Sequence, residues 1–114
     1  MANTRRSPFP YLDGPLPPRD AEALMQVFKA LANPTRLLLL HAIHRAGEIS
    51  PSDLAEQIGA SPQAVSNHLQ RLADQGIVGT RREGQRVLYN IIDPCVPGLM
   101  NLGVCLVQPR PQAT

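Results

Sequence analysis

Apolar residues recur along most of the chain at intervals of three and four, which is the spacing of a helix that buries one face. Prolines interrupt this pattern, and the residue before several of them is a good helix N-cap. Glycines stand where the helices should end. The pattern predicts five helices, at Asp20–Ala32, 34–46, 51–58, 62–75 and 94–107. The signals are Asn33-Pro34, Ser50-Pro51, Ser61-Pro62 and Asp93-Pro94 for starts, and Gly47, Gly59 and Gly76 for ends.

The pattern changes to a period of two between the fourth and fifth helices, in the stretch IVGTRREGQRVLYNI. The alternating apolar positions are Val87, Tyr89 and Ile91. With a turn at 83–85, this predicts a β-hairpin that pairs 77–83 with 85–91. Glu48-Ile49 is a candidate for a short third strand. The predicted fold is mainly α with a β-hairpin, in the order α-α-(β)-α-α-β-β-α.

Composition confines the fold to the middle of the chain. The 114 residues suffice for one domain. Residues 1–18 hold five of the twelve prolines without apolar periodicity, and the C-terminus is short and polar. We therefore expect a disordered Pro-rich arm at 1–18, a folded domain at 19–107 and a disordered tail at 108–114. A domain of roughly 90 residues has a small core, so an apolar surface shared with a second copy would add stability.

Several classes of protein are disfavoured by the same sequence. No run reaches the ~20 apolar residues of a membrane span, and no signal peptide is evident. Two cysteines do not make the disulfide framework of a secreted protein, which favours a cytoplasmic protein with reduced thiols. No nucleophile–base pair, phosphate-binding loop or carboxylate pair is evident, so an enzyme is not expected.

The fourth predicted helix has an unusual polar face. Val65, Leu69 and Leu72 form a narrow apolar stripe on one side. The outward side chains are amides, a hydroxyl and a guanidinium, the groups that reach base edges in a major groove. They are Gln63, Ser66, Asn67, Gln70 and Arg71. We expect this helix and the preceding one to form a helix-turn-helix unit that reads DNA. The alternative is an ordinary solvated amphipathic helix, which has a similar pattern.

The small positive charge of the chain is concentrated next to this helix. The formal net charge is +2, and the window 60–92 holds four arginines against two acidic residues while the rest balances. Arg81, Arg82 and Arg86 cluster towards the tip of the hairpin, where we expect them to contact phosphates or the minor groove. Affinity for DNA should then fall steeply with salt.

The segments LANPTRLLLLHAI, DLAEQIGASPQAVSNHLQRLADQGIV and RREGQRVLYNI together resemble the ArsR/SmtB winged-helix repressors. The resemblance runs from about Ala21 to Leu106, and VSNHLQRLADQGIV followed by GQRVLYNI is its specific part. It implies a winged helix-turn-helix homodimer, built on the first and last helices, that binds double-stranded operator DNA and releases it when an effector binds. It also implies a structural or DNA-proximal role for His68, and Arg36 is expected to tie helices together.

The resemblance further implies a response to a transition metal, with nickel or zinc favoured, although both metal-site patterns of the family are altered here. In the third-helix pattern, Ser50 and Ser52 stand at the cysteine positions, and serine hydroxyls are poor ligands for soft metals. In the last-helix pattern, D-x-H followed by H-x-x-E, Asp93 and Cys95 fill the first positions with cysteine in place of histidine. The distal histidine position falls one residue beyond Cys105.

Cys95 and Cys105 could meet only across a two-fold axis. On one helix they are ~15 Å apart, too distant to share a metal or to form a disulfide. Two antiparallel copies of the last helix crossing near Met100 would bring Cys95 of one chain towards Cys105 of the other. Asp93, Cys95 and Cys105 are therefore a candidate interchain metal site. The alternative is that both cysteines are small buried apolar residues.

His41 and His44 are a second pair of candidate metal ligands. They share a face of the second helix, and imidazole suits nickel, zinc or copper. An acidic residue from the first helix or the arm would have to complete the site. The other interpretation is a solvated pair on an exposed face.

Three alternatives to a metal-responsive repressor stay open. One is a redox-responsive repressor that uses an interchain Cys95–Cys105 disulfide, so that oxidation changes operator affinity. Another is a repressor that needs an accessory co-regulator protein to sense its signal. From a different class, a protein-interaction or metal-storage module would show no salt-dependent binding to duplex DNA.

Overall fold

A computed structural model describes residues 7–109 of the chain. This part contains five helices and one hairpin: α1 Pro18–Leu31, α2 Pro34–Ala46, α3 Pro51–Ile58, α4 Pro62–Asp74, β1 Val78–Glu83, β2 Arg86–Ile91 and α5 Val96–Val107. A short 3-10 helix, Pro10–Leu12, precedes α1. The predicted element order is confirmed. The remaining residues of the predicted arm and tail, 1–6 and 110–114, lie outside the described residues.

N-caps fix where α2, α3 and α4 begin. The side chains of Asn33, Ser50 and Ser61 each accept a hydrogen bond from the backbone N–H three residues later, and a proline follows each of them. Gly47 and Gly59 cap the ends of α2 and α3 at positive φ, which only glycine adopts without strain. The predicted bounds of these two helices are confirmed.

The last helix begins later than the sequence predicted. The predicted capping residue Asp93 still bonds the chain that follows Pro94, because its Oδ1 accepts a hydrogen bond of 2.8 Å from the N–H of Cys95. The N–H of Val96 donates to the carbonyl of Asp93 at 3.2 Å, three residues back, which makes a tight turn. Helix α5 begins after this turn, at Val96 instead of residue 94.

The other bounds need smaller corrections. Helix α1 starts at Pro18 instead of Asp20, since a proline presets the φ of a first helical residue. Helix α4 ends at Asp74 instead of residue 75, because the chain turns at Gly76 with φ 71°. Each strand of the hairpin begins one residue later than predicted.

One apolar core joins the helices to the hairpin. Its fully buried side chains include Leu39, Leu40, Ile43, Leu54, Val65, Leu69, Leu72, Ile77 and Val78. The stripe predicted on α4 thus faces the core, and burying each such side chain contributes about 1.5–3 kcal/mol. Helix α4 therefore packs against the core through this stripe, and its opposite side lies in solvent.

The hairpin, which we call the wing, is anchored to the connection between α2 and α3. Its strands pair antiparallel, from Val78 opposite Ile91 to Glu83 opposite Arg86. Ile49 exchanges two backbone hydrogen bonds, of 3.1 and 2.8 Å, with Tyr89 of β2. The predicted third strand is therefore this single bridge, and the order across the sheet is Ile49, β2, β1.

Burial along β2 differs from the alternation seen in the sequence. The apolar positions Val87, Tyr89 and Ile91 are half-buried, whereas Leu88 between them is buried. The reason is that both faces of β2 are partly covered, one by the core and one by the α2–α3 connection.

Helices α1 and α5 expose apolar side chains that the rest of the chain leaves uncovered. On α1, Leu24, Met25 and Phe28 are more than two-fifths exposed and line a shallow apolar groove with Leu16. Helix α5 packs on the core through Val96, Leu99 and Met100. Its second half exposes Leu102, Val104, Leu106 and Val107.

Candidate nucleic-acid interface

Helices α3 and α4 form a helix-turn-helix unit. Gly59 ends α3 in the left-handed conformation, and the N–H of Ala60 donates to the carbonyl of Ala55. Ser61 then starts α4 by accepting a hydrogen bond from the N–H of Ala64, at 3.1 Å. These local bonds set the angle between the helices, and their packing fixes it.

The polar side of α4 lies in solvent as the sequence predicted. Gln63, Ser66, Asn67 and Gln70 are exposed, and Arg71 is half-buried. Nε2 of Gln63 donates to Oδ1 of Asn67 at 3.1 Å, and Nε2 of Gln70 donates to Oδ1 of Asp74 at 2.9 Å. Such pairs one helical turn apart restrict the amide rotamers, and each amide retains further donor or acceptor capacity.

Arg36 joins three helices behind this surface. Its Nε and Nη2 donate to the carbonyls of Ala30 and Lys29, both in the last turn of α1. Its Nη1 lies 3.2 Å from Nδ1 of His68 on α4, and since a guanidinium only donates, the imidazole nitrogen accepts. The predicted role of Arg36 is confirmed, and His68 has the structural role that was one of the two expected for it.

The three arginines of the wing divide between its two faces. Side chains on neighbouring positions of a strand point to opposite sides, so Arg81 and Arg82 diverge. Glu83, two residues after Arg81 on the same strand, lies on the same face as Arg81. Arg86 is directly opposite Glu83 in the antiparallel pair, so it lies on that face too. That face turns towards the α2–α3 connection, and Arg82 lies on the other.

Arg81 and Arg86 are held by carboxylates. Nε of Arg81 donates to Oε2 of Glu48 and Nη2 donates to Oε1, both at 2.8 Å. Nη2 also donates to Oε2 of Glu83 at 2.9 Å. Nη2 of Arg86 lies 3.3 Å from Oδ2 of Asp53, in the first turn of α3. Both strands of the wing are thus linked by side chains to the helix-turn-helix unit or to the residue that leads into it.

The pairing of Arg81 with Glu48 favours the charged form of both side chains. The hydrogen bonds from Arg81 lower the pKa of the Glu48 carboxyl below its ordinary value of 4.5. The hydrogen bonds to Glu48 and Glu83 raise the pKa of the Arg81 guanidinium above its ordinary value. The charged groups line a cleft between the wing and the α2–α3 connection, where three carboxylates face two guanidiniums.

The sequence predicted the arginines but not their acidic partners. Strand alternation places Arg81 and Glu83 on one face, which is a readable signal. Glu48 is 33 residues away from Arg81, as Asp53 is from Arg86. No local pattern identifies such partners, because the fold alone brings them together.

The candidate metal ligands do not complete a site within the described part of the chain. Cys95, Cys105, His41 and His44 are exposed, and Asp93 is half-buried. Across residues 7–109, no three side chains of His, Cys, Asp or Glu come close enough together to hold a metal ion. A site built from these residues would need ligands from a second molecule.

Ser50 and Ser52, at the cysteine positions of the third-helix pattern, serve the start of α3. Oγ of Ser50 accepts from the N–H of Asp53 at 3.2 Å and lies 3.2 Å from Oγ of Ser52. Ser50 is also buried. The Ser50 hydroxyl therefore serves as the cap of α3, and the Ser52 hydroxyl is its hydrogen-bond neighbour.

Known proteins resemble this chain over the same helices and wing. A protein-family model described as a helix-turn-helix domain matches residues 31–81. The chain is 46% identical over 79 residues to the probable mercury resistance operon repressor of Streptomyces lividans, covering 69% of this chain and 62% of that protein. It is 38% identical over 90 residues to the HTH-type transcriptional regulator NmtR of Mycobacterium tuberculosis, covering 76% and 74%.

Solved structures extend the match to most of the fold. The antimony-specific transcriptional repressor AntR superposes with a TM-score of 0.76 at 47% identity, covering 90% of this chain and 95% of that one. The homodimeric winged helix-turn-helix DNA-binding domain of a possible ArsR-family regulator from Mycobacterium bovis gives 0.71 at 32% identity, covering 83% and 89%. This chain belongs to the ArsR/SmtB family of winged helix-turn-helix transcriptional repressors.

Members of the ArsR/SmtB family are DNA-binding regulators and not enzymes, as the sequence led us to expect. This ArsR/SmtB chain spans less than two thirds of the length of the mercury resistance repressor. Among its residues 7–109, no helix has the length and apolar character needed to cross a membrane.

Proposed function

We propose that this chain is a homodimeric repressor that binds duplex operator DNA, with α4 in the major groove and the wing on the flanking phosphates. The observation that carries the proposal is the exposed, amide-rich face of α4, which lies opposite a fully buried apolar stripe. A face that only meets solvent is usually charged. Amide side chains such as Gln63 and Asn67 instead fit the edge of adenine, and Arg71 fits guanine or a phosphate.

A second copy of the chain is the partner that the apolar surfaces of α1 and α5 favour. We propose that these two helices pair across a two-fold axis, which would cover the α1 groove and the second half of α5. The homodimeric relative supports this arrangement. A two-fold dimer presents its two α4 helices to half-sites about 34 Å apart, one turn of DNA. A regulator of this kind acts at the chromosome, so we place it in the cytoplasm.

Fluorescence anisotropy with the chain's own promoter DNA tests the proposal. Replacing Gln63 or Asn67 by alanine should weaken binding roughly 5- to 150-fold, the range expected for one bidentate base contact. Gln26→Ala is the matched control, since it removes an exposed amide from α1 outside the helix-turn-helix unit. Equal losses for all three variants, or equal affinity for promoter and scrambled duplex, would contradict base reading by α4.

We also propose that the repressor responds to a transition metal, nickel or zinc, bound by Asp93 and Cys95 of one protomer and Cys105 of the other. Both thiols are exposed on or beside α5, which has the apolar surface for a second copy. One oxygen of Asp93 is fixed by the N–H of Cys95, which leaves the other for a ligand bond. Two thiolates and a carboxylate form a donor set for such metals, and relatives named for mercury and antimony add support.

A bound metal would link the two protomers and so bias the spacing of the two α4 helices. Zinc and nickel should each be titrated into the reduced protein, with cobalt as a spectroscopic probe of thiolate coordination. Cys95→Ser and Cys105→Ser should each abolish binding. Mixed dimers of the two variants should regain one site, because one protomer keeps Cys95 and its partner keeps Cys105. Failure of the mixture to regain binding would contradict an interchain site.

The His41→Ala, His44→Ala double variant is the control, and it should bind metal normally. Loss of binding in this variant would move the site to α2. Release of DNA on oxidation alone, with a Cys95–Cys105 crosslink on a non-reducing gel, would favour the redox alternative. If neither metal nor oxidant changes the affinity for DNA, a repressor that needs a co-regulator protein is favoured.

A further inference from the structure

We propose that Arg81 positions the wing through a clamp on Glu48, and that Arg82 makes the wing's phosphate contact. This inference rests on the proposed DNA-binding function and divides the arginines of the wing into two roles. The clamp consists of the Arg81 fork, both oxygens of Glu48, and the additional bond to Glu83.

The clamp crosses the whole sheet. The order across the sheet is Ile49, β2, β1, so the Arg81 side chain passes over β2 to reach Glu48 beside Ile49. Leu88, the residue of β2 directly opposite Arg81, is buried beneath it. The Ile49–Tyr89 bridge ties only β2 to the α2–α3 connection, whereas the clamp ties β1 as well. The clamp therefore adds resistance to a twist of the wing about this bridge.

The charge around Arg81 disfavours a phosphate partner. The cleft beside it is lined by Glu48, Asp53 and Glu83 against Arg81 and Arg86, so three negative charges face two positive ones and the balance is −1. A phosphate approaching this face would meet the surplus carboxylate and would have to displace a bidentate partner. This face therefore serves to hold the wing and not to bind DNA.

Arg82 has the opposite environment. It is exposed on the other face of β1 and, within residues 7–109, has no ion pair or side-chain hydrogen bond. Its charge is not offset by a described carboxylate, so a phosphate can be contacted without breaking an existing bond. The position of Arg82 relative to α4 depends on the clamp that fixes the strand carrying it.

The first test uses the full-length protein without DNA. Hydrogen exchange of the wing amides should become about two- to fivefold faster in Glu48→Gln and in Arg81→Gln, the size of effect that an exposed ion pair produces. Arg81→Lys should behave like Arg81→Gln, since an ammonium keeps the charge but not the fork. Arg82→Gln should leave the exchange unchanged. Unchanged exchange in Glu48→Gln would overturn the clamp, whatever the protein does with DNA.

The second test measures promoter affinity against salt, where the two roles predict opposite signs. If Arg81 bound a phosphate, Glu48→Gln would free it and strengthen binding. The clamp predicts instead that Glu48→Gln and Arg81→Gln each weaken binding about two- to fivefold, and that the double variant is no weaker than either. Neither should change the salt slope, whereas Arg82→Gln should reduce it by about 0.9, one phosphate contact.

Stronger binding by Glu48→Gln, or a slope change in Arg81→Gln as large as in Arg82→Gln, would overturn the division of roles. Absence of promoter binding by the unmodified protein would defeat the proposed function instead. The exchange experiment would then still decide whether the clamp exists.

Discussion

Replacing Arg36 by alanine should destabilise the fold strongly, because Arg36 completes the hydrogen bonding at the end of α1. The last four carbonyls of a helix have no partner within the helix. In α1, those of Phe28 and Leu31 accept from backbone N–H groups that follow the helix. Arg36 serves the remaining two, on Lys29 and Ala30, and also bonds to α4.

The size of the effect follows from the surroundings of each bond. Ala30 is fully buried, so water cannot replace Arg36 at its carbonyl, and an unsatisfied buried acceptor costs about 1–3 kcal/mol. The bond to His68 adds about 0.5–1.5 kcal/mol. The Lys29 carbonyl is near solvent and regains a water partner at little cost. The free energy of unfolding should therefore fall by about 2–4 kcal/mol.

Urea unfolding at fixed protein concentration measures this change, since the stability of a dimer depends on concentration. Arg45→Ala is the matched control, because it removes an exposed arginine from the last turn of α2, where favourable dipole interaction is worth about 0.3–1 kcal/mol. Arg36→Lys should lose most of the stability, since lysine keeps the charge without the fork. A loss for Arg36→Ala no greater than that for Arg45→Ala would refute the reasoning.

Three further changes test other parts of the molecule. Ser61→Ala removes the N-cap of α4 and should cost about 1 kcal/mol in urea unfolding, and no loss would show that the cap is dispensable. Gly79→Ala would place a Cβ 2.9 Å from Cγ2 of Ile92, so it should lower the free energy of unfolding by about 1 kcal/mol. If that contact is the cause, adding Ile92→Ala should restore most of the loss. The lowered pKa of Glu48 means that its pairing with Arg81 stabilises the wing above pH 4.5 and is lost as pH falls through the folded pKa. Protection of the wing amides should therefore be constant from pH 6 to about 8 and decrease in acid, a step that Glu48→Gln should lack.

Local signals in the sequence located most of the fold. Ser50 and Ser61 cap the helices that follow them because the side-chain oxygen and the orphan N–H lie within one turn of each other. At Asp93 the side-chain oxygen bonds the nearer N–H, that of Cys95, and the helix begins only at Val96. Both residue types suit either arrangement, and the surrounding chain decides between them.

The sequence by itself determined which side of α4 faces the core and which side faces solvent. Helical periodicity fixes that division within four turns, without reference to the rest of the chain. Only the tertiary structure decided that Arg81 is paired and Arg82 is not, and that Arg36 spans three helices. The physical reason is distance along the chain: Glu48 reaches Arg81, and His68 reaches Arg36, across more than thirty residues, a separation that only packing of the whole core closes.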